Sequence, residues 1–224
     1  MNSSSGFVVE HRRTDPASLH AFSPPEHLRP KVMVAEVTEP ALVLGSAQSL
    51  SVVDERRADR SGLAVVRRRS GGGSVVLVPG RQVWMDFWIP EGHSWWQDDV
   101  VSAAVPVGEL WADALRAVGV EGLRVHRSGL EATRWSSLVC FAGRGPGEVV
   151  DDQSVKWLGL SQRRTRSWIR LQTMVHRVWS PELSLSALAM TDEQRVDAEA
   201  ELSGVVGSIG DADVVSAVLH RLPS

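Results

Sequence analysis

Residues 67–76 read Arg-Arg-Arg-Ser-Gly-Gly-Gly-Ser-Val-Val, and an apolar run precedes and follows this stretch. Three successive glycines contribute no side-chain packing, which a fold tolerates where backbone must approach another group closely. The N–H groups of such a turn can form an anion-binding nest, and arginines add donors that suit carboxylate or phosphate. A glycine-rich hairpin with a solvated basic run explains the stretch equally well when it is considered alone.

The composition is that of an ordinary globular chain of 224 residues, long enough for one domain with a sizeable core. A formal net charge of −3 argues against a general nucleic-acid binder. The single cysteine, Cys140, excludes an internal disulfide and suits a reducing compartment. Residues 1–6 lack the apolar core of a signal peptide, and no apolar run has the length of a membrane span. We therefore expect a cytoplasmic protein that binds neither nucleic acid nor membrane.

Hydrophobic periodicity predicts a chain with strands in its middle and helices at its end. The predicted strands are 31–37, 41–45, 63–66, 74–78, 83–89, 122–126, 136–141, 147–150, 155–160 and 168–178. The predicted helices lie at 15–22, 49–61 and 98–118, where Pro106 is expected to break the first part, and begin near Ser180, Thr191 and Asp211. Strands 74–78 and 83–89 are expected to form a hairpin around Pro79-Gly80, with Asp86 on its outward face.

This pattern predicts the α+β class, with a central mixed sheet flanked by helices in a single domain. We assign residues 31–224 to that domain and residues 1–30 to an extended N-terminal arm that contains one short helix.

Three motifs together resemble the lipoate–protein ligase and octanoyltransferase family. Residues 68–75 resemble its Arg-Arg-x-Ser/Thr-Gly-Gly-Gly-x-Val signature. Residues 156–164, Lys-Trp-Leu-Gly-Leu-Ser-Gln-Arg-Arg, are similar to its Lys-x-x-Gly-Ser/Leu-Ala/Ser-Gln-Arg segment, and residues 41–48 to its early strand ending in Gly-x-x-Gln. The resemblance covers residues 41–164 in the family's order, and it implies the catalytic fold that these enzymes share with biotin ligases.

The resemblance also implies a set of site residues. Those expected to bind the acyl group or an acyl-adenylate are Arg69, Ser70, Gly71, Gly72, Gly73, Ser74, Gly159, Ser161 and Gln162. Lys156 is expected to be catalytic, because the matching family lysine reaches the acyl carbonyl or, in ligases, the adenylate phosphate. The chain has 22 arginines and only two lysines, which favours a specific use of the compact lysine charge. The alternative is a surface lysine on an exposed strand.

Cys140 is the second expected catalytic residue. It ends a predicted strand and precedes a glycine-rich loop with Arg144, where a thiol is accessible and lies near positive charge. The order Cys-Phe, proline, Glu148 and then Lys156 resembles the segment that holds the nucleophilic cysteine of the octanoyltransferase branch. The alternative is a buried cysteine that acts as a small apolar side chain. No cluster of His, Asp or Glu has the spacing of a metal site, so no metal is predicted.

Three functions stay open. The first is transfer of an octanoyl or lipoyl group, through a Cys140 thioester, to the lysine of a lipoyl carrier domain or a glycine-cleavage carrier protein, with an acyl carrier protein as possible donor. The second is ATP-dependent lipoate ligation through lipoyl-adenylate, the one case that needs ATP and Mg²⁺. The third is a non-catalytic relative that binds an acyl-carrying protein or acyl-adenylate. No tightly bound cofactor is expected, and lipoate or octanoate is the expected acyl group.

Two departures from the family pattern count against ligation. The ligases usually follow the triple glycine with a His-Asp pair, where this chain has Val78-Pro79. The 224 residues also leave no room for the accessory domain of many ligases.

Overall fold

The computed structural model describes residues 6–23 and 29–223, in which ten strands and six helices form. The strands are β1 (Val8–Thr14), β2 (Lys31–Val37), β3 (Ala41–Leu44), β4 (Ala64–Arg67), β5 (Val75–Leu77), β6 (Gln82–Pro90), β7 (Arg124–Val125), β8 (Val149–Val150), β9 (Lys156–Arg164) and β10 (Trp168–His176). The helices are α1 (Pro16–Ala21), α2 (Glu55–Arg60), α3 (Val100–Ala117), α4 (Pro181–Leu185), α5 (Asp192–Leu202) and α6 (Val214–Leu219).

The strands form two sheets. The larger has seven strands in the order β1-β2-β6-β10-β9-β8-β7, and only its β1–β2 pair is parallel. The smaller has the order β4-β3-β5, in which β3 runs parallel to β4 and antiparallel to β5. The α+β class with a central mixed sheet is therefore confirmed.

Several sequence predictions about these elements need correction. The first concerns the expected hairpin, because β5 and β6 lie in different sheets and Pro79-Gly80 connects the two. The pattern showed two neighbouring strands, but their partners are distant in sequence.

Strand β1 was not predicted, since polar residues interrupt its apolar pattern. It pairs with β2 along its whole length, and the adjoining helix α1 buries Leu19 completely.

The segment 136–141 is not a strand either. It forms a turn that leads into a short 3₁₀ helix, Cys140–Ala142. Its alternating pattern arises because Val139 and Phe141 are buried in two separate parts of the core. Helix α3 also continues through Pro106 instead of breaking there. The hydrogen bond that Pro106 cannot make would end at the carbonyl of Ser102, an exposed residue of the first turn.

The larger sheet is the middle layer of the molecule. Along β6, the side chains on one face of the sheet, such as Met85 and Phe87, pack with Trp111 of α3 in one core cluster. Trp84, on the opposite face, packs in a different cluster with Leu77 of the smaller sheet. This alternation follows from the twofold period of a strand that is covered on both faces. A space between the two sheets is thereby left beside Trp84.

A buried ion pair fixes helix α1 on this inner face. Arg170 of β10 donates from Nε to Asp86 Oδ2 at 2.9 Å, and from Nη2 to the carbonyl of Leu19 at 2.8 Å. Asp86 also accepts a hydrogen bond from Trp84 Nε1 at 2.7 Å. Burial raises the pKa of the Asp86 carboxyl, while the ion pair and this hydrogen bond oppose that shift. The predicted outward position of Asp86 is wrong, because helix α1 covers this face of the sheet.

Replacing Asp86→Asn should lower the free energy of unfolding by about 3–5 kcal/mol, because it leaves the Arg170 charge buried without its counter-ion. Urea titration followed by far-ultraviolet circular dichroism measures this loss. The control is Asp113→Asn in the exposed Asp113–Arg116 pair, for which we expect a change within about 1 kcal/mol. Equal losses in the two variants would contradict the role given to the buried pair.

Candidate active site

The triple-glycine stretch is a turn between β4 and β5, organised by Arg68. This side chain is buried, and its Nη2 donates to the carbonyls of Gly71 at 2.7 Å and Gly73 at 2.9 Å. Gly72 lies between them with φ +95°, in the left-handed region that glycine adopts without strain. The arginine run is therefore not a solvated face at this position, and β4 and β5 do not pair as a hairpin.

Gly45 and Gly73 are needed for close approach, which was one of the two explanations that the sequence left open for the glycine-rich stretch. A Cβ on Gly45 would lie 1.9 Å from the carbonyl oxygen of Gly72, and one on Gly73 would lie 2.6 Å from the backbone of Val139. Gln48 braces both contacts, since its Oε1 accepts from the N–H of Gly45 and its Nε2 donates to the carbonyl of Ser137. The Gly-x-x-Gln motif was recognised in the sequence, but its bracing role was not.

Cys140 lies directly against this turn. Its N–H donates to the carbonyl of Ser74 at 3.0 Å, and Ser74 Oγ donates to the carbonyl of Leu138 at 2.7 Å. The half-buried Cys140 Sγ accepts from Arg68 Nη2 at 3.6 Å. A Cβ on Gly72 would lie 3.4 Å from the same sulfur. The fold thus brings together two predicted elements, the glycine turn and the cysteine, and adds Arg68, which the sequence analysis did not assign to the site.

Lys156 is buried behind the cysteine and is not a surface lysine. Its Nζ forms an ion pair with Glu148 Oε2 at 2.6 Å and donates to the carbonyls of Cys140 at 3.2 Å and Gly143 at 2.9 Å. The ammonium also lies 4.8 Å from the centre of the Phe141 ring. Lys156 lines a neighbouring cavity, and Phe141 lines both that cavity and the one beside Cys140. The pairing of Glu148 with Lys156 was not foreseen.

An apolar pocket with a cavity volume of about 50 Å³ opens between the two sheets, with Cys140 in its wall. The pocket is lined by Val43, Val75, Leu77, Trp84, Phe141, Leu160 and Met174, and by the more polar His20, Arg68, Cys140, Gly159, Ser161, Gln172 and Thr173. Such a lining fits an aliphatic chain.

A polar row crosses one side of this pocket. Ser70 Oγ lies 3.0 Å from Ser161 Oγ and donates to Gln172 Oε1, also at 3.0 Å. Beside this row, a Cβ on Gly159 would lie 2.5 Å from the Phe141 ring, so glycine is required there. The two predicted motifs therefore meet at the pocket. Gln172 lies outside both motifs, and no sequence signal marked it.

Other predicted residues lie away from the pocket lining. Arg69 Nη1 donates to Ser23 Oγ at 3.2 Å on the surface, and Gln162 is half-buried without contributing to the pocket. Arg144 pairs with Glu131 and not with the cysteine. Partial burial lowers the pKa of Arg163, and the charge of the nearby Arg69 lowers it further.

Two general features concern the whole described chain. Among residues 6–23 and 29–223, no group of three or more His, Cys, Asp or Glu side chains is arranged to hold a metal ion. None of the helices in these ranges combines the length and apolarity needed to cross a membrane.

Gly73→Ala should lower the free energy of unfolding by about 1–3 kcal/mol, because its Cβ would press the backbone of residues 136–140. It should also change the rate at which Cys140 reacts with a thiol reagent. Gly71→Ala is the matched control, since a Cβ there meets nothing within 4 Å. Urea titration and reaction with a chromogenic disulfide measure both effects. A Gly73 variant that behaves like the Gly71 variant would contradict the close packing of this turn on the Cys140 segment.

Comparison with solved structures shows the same fold in lipoate ligases. The chain is similar to one from a study of the bi-partite lipoate protein ligase and its E2 lipoyl domain of Thermoplasma acidophilum (TM-score 0.67, 14% identity, 95% of this chain and 82% of that one). It is also similar to lipoate-protein ligase A bound with ATP (TM-score 0.61, 12% identity, 96% and 93%). A third similar structure is P. falciparum LipL1 in complex with lipoate (TM-score 0.53, 10% identity, 85% and 58%).

At the level of sequence, no curated protein matches the chain. The family model of the lipoyl protein ligase A/B catalytic domain, however, matches residues 18–194. These residues include the glycine turn, Cys140 and Lys156, and the resemblance seen in the three motifs is confirmed. The chain belongs to the family of the lipoyl protein ligase A/B catalytic domain.

Proposed function

We propose that this protein transfers an octanoyl or lipoyl group to the lysine of a lipoyl carrier domain through a thioester on Cys140. The observation that carries this proposal is the position of Cys140 Sγ in the wall of an apolar pocket, beside the Arg68 guanidinium. It is the only cysteine in the chain, so a thioester mechanism has no other thiol to use. The apolar pocket would hold the aliphatic part of the acyl group.

In the first step, the Cys140 thiolate attacks the carbonyl carbon of a carrier-bound thioester. A new carbon–sulfur bond forms, the old one breaks, and the carrier leaves as a thiolate. Negative charge lies on Sγ before attack and on the acyl oxygen in the tetrahedral intermediate. The Arg68 guanidinium, 3.6 Å from Sγ, stabilises that charge from a fixed position, because the glycine-turn carbonyls hold it.

In the second step, the amine of the acceptor lysine attacks the Cys140 thioester. An amide forms, the carbon–sulfur bond breaks, and the amine proton passes to the departing Cys140 sulfur. The acceptor must therefore approach from the open side of the pocket. A lipoyl carrier domain is the proposed acceptor, and a glycine-cleavage carrier protein is the other possibility. An E2 lipoyl domain accompanies the similar T. acidophilum ligase, which supports the first choice.

Lys156 supports the reaction from behind the nucleophile. Its hydrogen bonds to the carbonyls of Cys140 and Gly143 hold the short helix that presents the thiol, and Glu148 balances its charge. We therefore assign Lys156 to positioning Cys140 in this conformation. The role implied by the family resemblance, contact with the acyl carbonyl, would require the ammonium to leave Glu148 and pass Phe141.

The donor is proposed to be an acyl carrier protein. Arg69 is exposed, and Arg163 lies close enough for its pKa to respond to the Arg69 charge. Two neighbouring guanidinium groups of this kind suit the phosphate of a carrier arm or acidic side chains on the carrier.

ATP-dependent lipoate ligation is the second candidate. It is supported by the likeness to lipoate-protein ligase A bound with ATP and by the glycine turn, whose backbone suits a phosphate. In this case ATP, Mg²⁺ and lipoate are substrates, and the acyl-adenylate forms without a thioester. Lys156 would then have to reach the adenylate phosphate.

The experiment measures octanoyl transfer from an acyl carrier protein to a lipoyl domain, by the mass increase of the lipoyl domain. Cys140→Ala should abolish transfer, with a loss of at least ~1,000-fold, because the covalent step is removed. Cys140→Ser keeps the shape of the side chain and should retain only traces, since a hydroxyl is a far weaker nucleophile. Circular dichroism checks that both variants are folded.

A parallel assay follows the exchange of pyrophosphate into ATP in the presence of lipoate. Thioester transfer predicts no exchange that depends on lipoate. Full transfer activity in Cys140→Ala, together with lipoate-dependent exchange, would reject the thioester mechanism and favour ligation. Binding of the acyl carrier with neither transfer nor exchange would favour the non-catalytic alternative.

A further inference from the structure

The polar row beside the pocket continues to a histidine. Gln172 lies beyond Ser70 in this row, and its Nε2 is 3.3 Å from Nδ1 of His20 on helix α1. Because Gln172 Oε1 accepts from the Ser70 hydroxyl, the amide nitrogen is the atom that faces His20. The amide nitrogen is a donor only, so His20 Nδ1 accepts.

The second ring nitrogen of His20 is therefore a free donor. Burial, together with the charges of Arg170 and Arg68, lowers the pKa of His20 to about 3, so the ring is neutral near pH 7. With Nδ1 accepting, the proton lies on Nε2. This buried nitrogen has no hydrogen-bond partner among residues 6–23 and 29–223, and His20 lines the pocket. A buried donor without a partner is costly, which suggests that a ligand supplies the acceptor.

The strand register places His20 at the side of the pocket away from Phe141, the residue that follows Cys140. The pocket crosses three neighbouring strands, with Gly159 of β9, Met174 of β10 and Trp84 of β6 side by side. Phe141, next to Cys140, packs on Gly159, whereas the His20 ring stacks on Trp84 with 4.7 Å between ring centres. Two strand spacings, roughly 10 Å, separate β9 from β6. An acyl group whose carbonyl is at Cys140 therefore points its far end towards His20.

Resting on the proposed acyl pocket, we propose that His20 determines specificity by donating from Nε2–H to a sulfur atom at the far end of the acyl chain. This selects a lipoyl group, which ends in a dithiolane ring, over an octanoyl group, which ends in a methyl. Divalent sulfur, as in the thioether of Met or the disulfide of a dithiolane ring, is a weak acceptor and makes favourable contacts with aromatic rings such as Trp84. A hydrocarbon end leaves the His20 donor unpaired.

The test compares two neutral amides that differ only in sulfur: lipoamide and 5-cyclopentylpentanamide, which has the same tail and ring size. Isothermal titration calorimetry on the wild type should show lipoamide binding about tenfold more tightly, the effect of one satisfied donor. His20→Phe keeps a ring against Trp84 but removes the donor, and should make the two affinities equal. His20→Gln, which keeps a donor near the same place, should retain part of the preference.

The matched control is His176→Phe. His176 is also buried, its pKa is also lowered to about 3 by burial, and its Nε2 also lacks a partner within the described residues. It lines a different cavity, beside Arg81 and Trp179. This variant should keep the tenfold preference. Thermal melting of all variants separates loss of folding from loss of selectivity.

The outcomes distinguish this inference from the proposed function. Equal affinities in the wild type, or an unchanged preference in His20→Phe, would overturn the role of His20 and leave thioester transfer untouched. An equal weakening of both amides by His20→Phe would make the residue structural and also overturn it. A wild type that binds neither amide would overturn the acyl pocket itself, and with it both proposals.

Discussion

The site depends on one buried guanidinium, that of Arg68. It holds the carbonyls of Gly71 and Gly73 and at the same time reaches Cys140 Sγ. Planar guanidinium donors fit this task because they can serve several acceptors in fixed directions. The glycine turn can then pack against Gly45 and the Val139 backbone at distances that any side chain would prevent. Loss of these Arg68 contacts would separate the glycine turn from Cys140.

Two further buried cations fix the segments on either side of the pocket. Lys156, paired with Glu148, fixes the segment that carries Cys140 at one end. Arg170, paired with Asp86, fixes the helix that carries His20 at the other. A buried charge is tolerated only with a counter-charge and satisfied hydrogen bonds, so each pair fixes the position of its segment firmly. The apolar pocket lies between the two segments that these ion pairs fix in place.

The sequence predicted the parts of this arrangement that are encoded locally. The triple glycine offered close backbone approach as one of two explanations, and strand β2 was predicted with its observed bounds because its apolar pattern is clear. The choice between Arg68 and Arg69 was beyond the sequence, since neighbouring arginines are chemically identical and only the direction of β4 decides which one is buried. His20 gave no signal because its function depends on Gln172, which lies 152 positions away in the chain. The segment 136–141 was misread for the same reason, as contacts with distant parts of the core produce its alternation.

The central claim is that the acyl group is carried on Cys140. The most direct measurement is to incubate the wild-type protein with octanoyl carrier protein and no acceptor, then to map its peptides by mass spectrometry. The account predicts one octanoyl group on the peptide that contains Cys140, released by neutral hydroxylamine and lost when a lipoyl domain is added. An unmodified Cys140 peptide, under conditions in which the lipoyl domain does become acylated, would contradict it.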